Sequence, residues 1–205
     1  MFDVEAFILV GGQSSRMGSD KSKLVLGRRT TVEHIQAALR TVAPSIRVVG
    51  ARDQGKLSGL ENIRDTHELW GALGGIHAAL TACRAEWAAI VACDLPLISA
   101  DLIARLWQLA SGTEGENFDA IVPIQPDERP QPLCGFYRRE SCSAAAGQLI
   151  AEGEHKPRTL LRQVRTRWVT FKELSDLPGA DNFFLNVNTP EDYQRAKEIL
   201  AGKSV

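Results

Sequence analysis

The 205-residue sequence predicts an α/β protein: a three-layer α/β/α sandwich around a mostly parallel sheet. Three observations lead there. Strand-like apolar runs alternate with helix-period segments, the order that builds a parallel sheet covered on both faces. Trp87 to Ala92 is almost continuously apolar, as a central parallel strand must be. The apolar run Phe7 to Val10 passes straight into glycines, at the end of a strand where open α/β sheets bind ligands. No internal repeat is visible, and the loop-like stretch Ser111 to Asn117 is too short to divide domains. Residues 1–205 are therefore expected to form one domain.

The elements follow in order. Phe7 to Val10 reads as a buried strand, and Thr31 to Val42 as a helix with Val32, Ile35, Leu39 and Val42 on one face. Ile46 to Val49 is a second strand and Leu60 to Ile63 a weaker third. Leu73, Ile76 and Leu80 share a helical register within Leu73 to Ala82. After the strand Trp87 to Ala92, Ser99 is placed to N-cap a helix carrying Leu102, Ile103, Leu106 and Leu109. Asp119 to Pro123 and Leu133 to Tyr137 are strands, the second a candidate for antiparallel pairing. Leu160 to Val164 is helical, Arg167 to Phe171 a strand, and Phe183 to Val187 leads to a last helix. That helix has a clear start: Thr189 as N-cap, Pro190 at the first position, then Glu191 and Asp192.

Composition narrows the function classes. Hydrophobic residues make up 44% and charged residues 24%, which excludes disordered and fibrous chains. A formal net charge of −1 argues against a nucleic-acid partner, which calls for a basic face. Acidic residues precede the short apolar run of MFDVEAFILVGG, so no signal peptide is expected, and no stretch reaches a membrane span. Cys83, Cys93, Cys134 and Cys142 form no C-x-x-C pair and no zinc spacing; reduced thiols and a cytoplasmic location are expected. His34, His67, His77 and His155 are scattered and read as structural or exposed.

The informative stretch is LVGGQSSRMGSDKSKL, residues 9–24. A Gly-Gly pair at a strand end lets backbone N–H groups approach an anion with no Cβ in the way. Arg16 offers a two-pronged donor to phosphate oxygens and Lys21 a compact charge. Neither G-x-x-x-x-G-K-[ST] nor G-x-G-x-x-G is present. A plain turn with solvated charges explains a lone Gly-Gly, but not arginine, a third glycine and Asp-Lys within ten residues.

This stretch resembles the signature L-A-G-G-x-S-x-R-M-G-x-D-K-x-x-L of the molybdenum cofactor guanylyltransferase family of nucleotidyltransferases, with Val10 in place of alanine. The likeness covers nearly the whole chain. WGALGGIHAAL from Trp70 resembles the family's G-P-L-A-G-I segment, from which Ala72 and Gly74 depart. VACDLPLI from Val91 is similar to its metal-binding strand end, and FLNVNTPED from Phe184 to its C-terminal motif. QPLCGFYRR from Gln131 resembles the segment lining the pterin side.

The resemblance implies a Rossmann-like fold of the nucleotide-diphospho-sugar transferase type. It implies transfer of GMP from GTP to the terminal phosphate of molybdopterin, with Mg2+ as cofactor and pyrophosphate released. Leu9, Val10, Gly11, Gly12, Lys21, Asp65 and Asp94 are then the nucleotide-binding residues, and Arg16, Lys21 and Asp94 the catalytic ones. Asp94 follows the apolar strand directly, so its carboxylate should emerge beside the glycine loop; magnesium needs only one or two carboxylates plus substrate phosphates. Taken alone, Asp94 also suits a turn before Pro96, and Asp65 a turn-forming role. Asn186 and Asn188 alternate along an extended segment as candidates for the metal or the acceptor phosphate; Asn188 equally suits the turn that starts the last helix. The basic series His155, Lys156, Arg158, Arg162, Arg165 and Arg167 fits either a phosphorylated acceptor or a solvated face. Expected partners are GTP and molybdopterin, with other cofactor-biosynthesis proteins and molybdoenzymes beyond them. Three alternatives stand beside this reading: a cytidylyltransferase on the same cofactor, whose family carries Ala-Ala where Gly11–Gly12 stand; a sugar- or polyol-phosphate nucleotidyltransferase; and a non-catalytic, GTP-binding maturation scaffold.

Overall fold

The computed structural model describes residues 3–10, 24–51, 57–65, 71–113 and 115–202. Nine strands and six α-helices lie within them. The strands are β1 (Val4–Leu9), β2 (Val25–Leu26), β3 (Arg29–Thr30), β4 (Ile46–Val49), β5 (Asn62–Ile63), β6 (Trp87–Ala92), β7 (Ala120–Pro123), β8 (Cys134–Arg138) and β9 (Thr166–Val169). The helices are α1 (Thr31–Leu39), α2 (Gly71–Ala82), α3 (Ala100–Ser111), α4 (Arg139–Ala151), α5 (Pro157–Gln163) and α6 (Pro190–Leu200).

Seven strands form one sheet in the order β5-β4-β1-β6-β8-β7-β9. All of them run in one direction except β8, which pairs antiparallel with both β6 and β7. β2 and β3 make a separate antiparallel hairpin. From β1 the chain moves outward to β4 and β5, then returns to place β6 on the other side of β1. That reversal is a topological switch point, where ligands bind in open α/β sheets.

Side-chain alternation along the strands explains the three layers. Ala6 and Ile8 of β1, with Ala89 and Val91 of β6, pack against Val32, Ile35 and Leu39 of α1 and Leu102 and Leu106 of α3. Phe7, Leu9, Ala88 and Ile90 face the opposite layer, where Leu73, Ile76 and Leu80 of α2 meet Leu149 of α4 and Leu160 of α5. Burying each large apolar side chain contributes about 1.5–3 kcal/mol, so both sheet faces are structurally committed. The edges remain for chemistry.

Helix starts follow the sequence signals. Ser99 accepts from Leu102 N–H at 3.1 Å. Thr189 accepts from Asp192 N–H at 3.2 Å while the Asp192 carboxylate accepts from Thr189 N–H at 2.9 Å, a reciprocal cap. Thr30 and Glu33 close the same kind of box on α1. The expected strand over Arg167 to Phe171 stops at Val169, because Thr170 and Glu173 cap a short 3-10 turn over Phe171–Glu173. Two elements are additional to the sequence expectation: the β2–β3 hairpin and α4. All four cysteines are buried free thiols. Burial pushes Cys134 up to about 12 and Cys142 to about 12. Among the described residues no helix is long and apolar enough to cross a membrane.

Candidate active site

The carboxyl ends of β1, β4, β5 and β6 are stitched together by backbone hydrogen bonds that continue past the strands. Cys93 N–H donates to the Leu9 carbonyl at 2.9 Å, and Val10 N–H donates to the Val49 carbonyl at 2.9 Å. Gly50 N–H donates to Ile63 at 3.0 Å. These bonds bring Leu9 and Val10, Asp65 and Asp94 to a common edge at the switch point. Gly11, Gly12, Arg16 and Lys21 lie outside the described residues, as do Gly18, His67 and Trp70.

Asp65 stands two residues beyond β5, partly buried. A Cβ added at Gly75, in α2, would sit 3.4 Å from Leu9 Cδ1 and 3.9 Å from Asp65 Oδ2. Leu9, Asp65 and the early turns of α2 are therefore neighbours, and the glycine keeps that corner shallow. The sequence marked this segment only through its glycines; it did not reveal which one faces Asp65.

Asp94 leaves the end of β6 with its side chain partly buried and Oδ1 out of contact with solvent. Its backbone carbonyl accepts from Val187 N–H at 2.8 Å. This bond draws the 185–188 segment onto the sheet edge, so Asn186 and Asn188 flank a residue bonded to Asp94. Asn186 Nδ2 donates to the Phe184 carbonyl at 3.2 Å. Asn188 N–H donates to the Asp192 carboxylate at 3.0 Å, so its backbone serves the start of α6, as the alternative reading held.

Gln131, only 7% exposed, joins the same edge, with its N–H donating to the Pro123 carbonyl at 2.9 Å. Ala92 N–H donates to Leu133 at 2.9 Å, which seats this segment beside the end of β6.

The basic series divides. Arg165 donates through Nε at 2.9 Å and a terminal nitrogen at 3.1 Å to Asp119, at the amino edge of the sheet and away from Asp94. Arg167 donates to Glu173 at 2.6 Å. Both are held in intramolecular pairs. His155, Lys156, Arg158 and Arg162 are exposed. His34 donates from Nε2 to the Leu26 carbonyl at 2.8 Å, a structural use. His77 lies in the α2–α4 packing, 3.3 Å from where a Cβ at Gly147 would sit.

A doubly wound sheet with carboxylates gathered at its switch point defines the class: an α/β nucleotidyltransferase-type fold. The chain belongs to the MobA-like NTP transferase family, whose domain matches residues 6–168. It is 34% identical over 203 residues to a protein of Carboxydothermus hydrogenoformans named "Probable molybdenum cofactor guanylyltransferase", covering 99% of this chain and 100% of that one. It is 34% identical over 199 residues to the molybdenum cofactor guanylyltransferase of Photobacterium profundum, covering 94% and 95% of the two chains. The crystal structure of molybdopterin-guanine dinucleotide biosynthesis protein A from Archaeoglobus fulgidus superposes with a TM-score of 0.79 at 27% identity, over 97% of this chain and 99% of that one.

Proposed function

We propose that this chain, working as one nucleotidyltransferase domain, transfers GMP from GTP to the terminal phosphate of molybdopterin and releases pyrophosphate. The observation that carries the proposal is the meeting of Leu9–Val10, Asp65, Asp94 and residues 186–188 at one switch-point edge. Similarity over the full chain to proteins named for that activity supports the choice of nucleotide and acceptor.

The acceptor's phosphate monoester dianion is already a competent nucleophile and attacks the α-phosphorus in line, so no covalent enzyme intermediate is required. Catalysis is then positioning and charge neutralisation. Backbone N–H groups of the Gly11–Gly18 stretch, with Arg16 and Lys21, hold the triphosphate. Asp65 and Leu9 border the nucleoside. Gln131 to Leu133 and Asn186 border the acceptor side.

The donor chemistry at Asp94 fits magnesium: a hard carboxylate at the sheet edge, where the cation needs only one or two protein oxygens besides substrate phosphates and water. Bound there, magnesium supplies neutralisation of the charge that builds on the phosphates during transfer. Asp94 would hold that cation, with its own backbone fixed by Val187.

The test is pyrophosphate release with each of the four NTPs in the presence of molybdopterin. GTP is expected to be the preferred substrate, because a Gly-Gly pair has no Cβ to exclude guanine's exocyclic amino group and can offer it backbone acceptors. Equal turnover with CTP would contradict the assignment and favour the cytidylyl alternative.

A further inference from the structure

The chain leaving the glycine-rich stretch is gripped residue by residue. Three successive carbonyls, those of Leu24, Val25 and Leu26, are each taken by a donor, two from α1 and one from α6. Thr31 N–H donates to Leu24 at 2.9 Å, the Tyr193 hydroxyl to Val25 at 2.5 Å, and His34 Nε2 to Leu26 at 2.8 Å. Side chains reinforce the grip. Leu26 is fully buried with Val187 and Ala196 in a small cluster, and Leu24, Leu97, Leu185 and Tyr193 pack around it. Val187 in that cluster is the residue whose N–H holds the Asp94 carbonyl. A continuous path of contacts thus runs from Leu24–Leu26, through α6 and Val187, to the strand end that carries Asp94.

We propose that α6 is a clamp that sets the exit of the glycine-rich stretch relative to Asp94, with Tyr193 and His34 as positioning residues for triphosphate binding. This rests on the GMP-transfer reading above. Its physical basis is that a binding loop holds its ligand well only if both ends are fixed by rigid supports. The entrance is fixed by sheet bonds at Leu9 and Val10; the exit hairpin, only two residues per strand, has no place in the main sheet and needs an outside anchor. Neither Tyr193 nor His34 need touch the nucleotide.

The test compares Tyr193→Phe, Tyr193→Ala and the double variant His34→Ala/Tyr193→Phe. Steady-state GTP kinetics, melting curves and hydrogen exchange of residues 24–30 are measured for each. Tyr193→Phe removes one hydroxyl donor and keeps the ring, which also receives Lys197 Nζ at 4.7 Å. The expected result is a KM for GTP raised about threefold to tenfold, the range of one lost hydrogen bond, with kcat within twofold of wild type. The double variant is expected to raise KM further, to speed exchange at residues 24–30 and to melt somewhat lower, because the Leu26 carbonyl loses its donor, while staying folded at the assay temperature. In Tyr193→Ala the loss of the ring raises KM more than in Tyr193→Phe, so partial rescue by phenylalanine is a signature of the clamp. An active wild type with unchanged KM in all three variants would overturn the clamp alone. So would variants whose activity falls only in proportion to unfolding. A wild type that transfers no GMP would overturn the functional reading, and the clamp with it.

Discussion

The two edges of the sheet treat the same residue type in opposite ways. At the amino edge, Asp119 is closed off: its carboxylate accepts from Arg165 Nε at 2.9 Å, Arg165 N–H at 3.1 Å and Ser141 Oγ at 3.0 Å. The Arg165 hydrogen bond, foremost, holds its carboxyl below the usual range despite burial. Glu86 and Arg138 pair on the same edge, and the Arg138 guanidinium lies 4.5 Å over the Trp87 ring. At the carboxyl edge, Asp65 and Asp94 follow strand ends that are tied by backbone bonds, beside a glycine and an extended segment. The difference teaches that carboxylates in this fold are tied into ion pairs where β8 and the approach to β9 bring arginines to them, and border the proposed site where the strand order reverses.

The sharpest way to break that comparison is to neutralise one aspartate at each edge. Asp94→Asn should lower the GMP-transfer rate by at least about 10²–10³-fold, the scale of a lost electrostatic contact at a reacting phosphate, with little change in melting temperature. Asp119→Asn should do the reverse: stability falls by about 1 kcal/mol as the buried acceptor loses its charge and its hydrogen bonds to solvent-exposed Arg165 weaken, while turnover per folded molecule holds. Urea unfolding beside initial rates separates the two; matching losses of stability in both variants would erase the distinction.

How much of this was legible beforehand depended on the range of the interactions involved. The strand Trp87–Ala92 and the caps at Ser99 and Thr189 are local signals, and each stands where the residues put it. The antiparallel pairing of β8 was foreseen as well. Helix α4 was not, because its buried face is Cys142, Ala146, Leu149 and Ile150, half of them small side chains that raise little periodic contrast. Those small residues serve close packing on α2, itself lined by Gly74, Gly75, Ala78 and Ala79. The position of Asp94 at the carboxyl edge was readable because it follows an apolar strand. The bond from Val187 to Asp94, and the arginine partners of Asp119 and Glu173, are long-range or fold-dependent, and no spacing announces them. Arg165 and Arg167 therefore read as part of one basic series, although each answers a carboxylate of its own.

Next in size are the side chains proposed to hold phosphate. Lys21→Ala and Arg16→Lys should each weaken GTP binding by about 1.5–3 kcal/mol, the worth of charge-assisted contacts, without altering the melting curve. Arg16→Lys keeps the charge and removes only the fork, so wild-type affinity there would show that a point charge is enough. Titration calorimetry with GTP and magnesium reads both.

The smallest effect sharpens the structural side. Arg167's hydrogen bond, above all, holds the Glu173 carboxyl near about 2, down from its ordinary 4.5. A depressed carboxyl contributes stability that is full above about 4.5 and is lost as pH falls toward 2. The pair is partly exposed, so the effect is modest. Acid unfolding followed by circular dichroism should show a shallower slope between those pH values in Glu173→Gln than in wild type. Superposable curves would mean that the pair adds nothing.

The claim that Asp94 marks the reacting edge is tested most directly by manganese(II), a paramagnetic stand-in for magnesium. Electron paramagnetic resonance titrations with GTP are run on wild type, Asp94→Asn and Asp119→Asn. The account predicts a GTP-dependent bound-manganese signal in wild type and in Asp119→Asn, and its loss in Asp94→Asn while that variant stays folded. A folded Asp94→Asn that binds manganese and GTP as wild type does would contradict it.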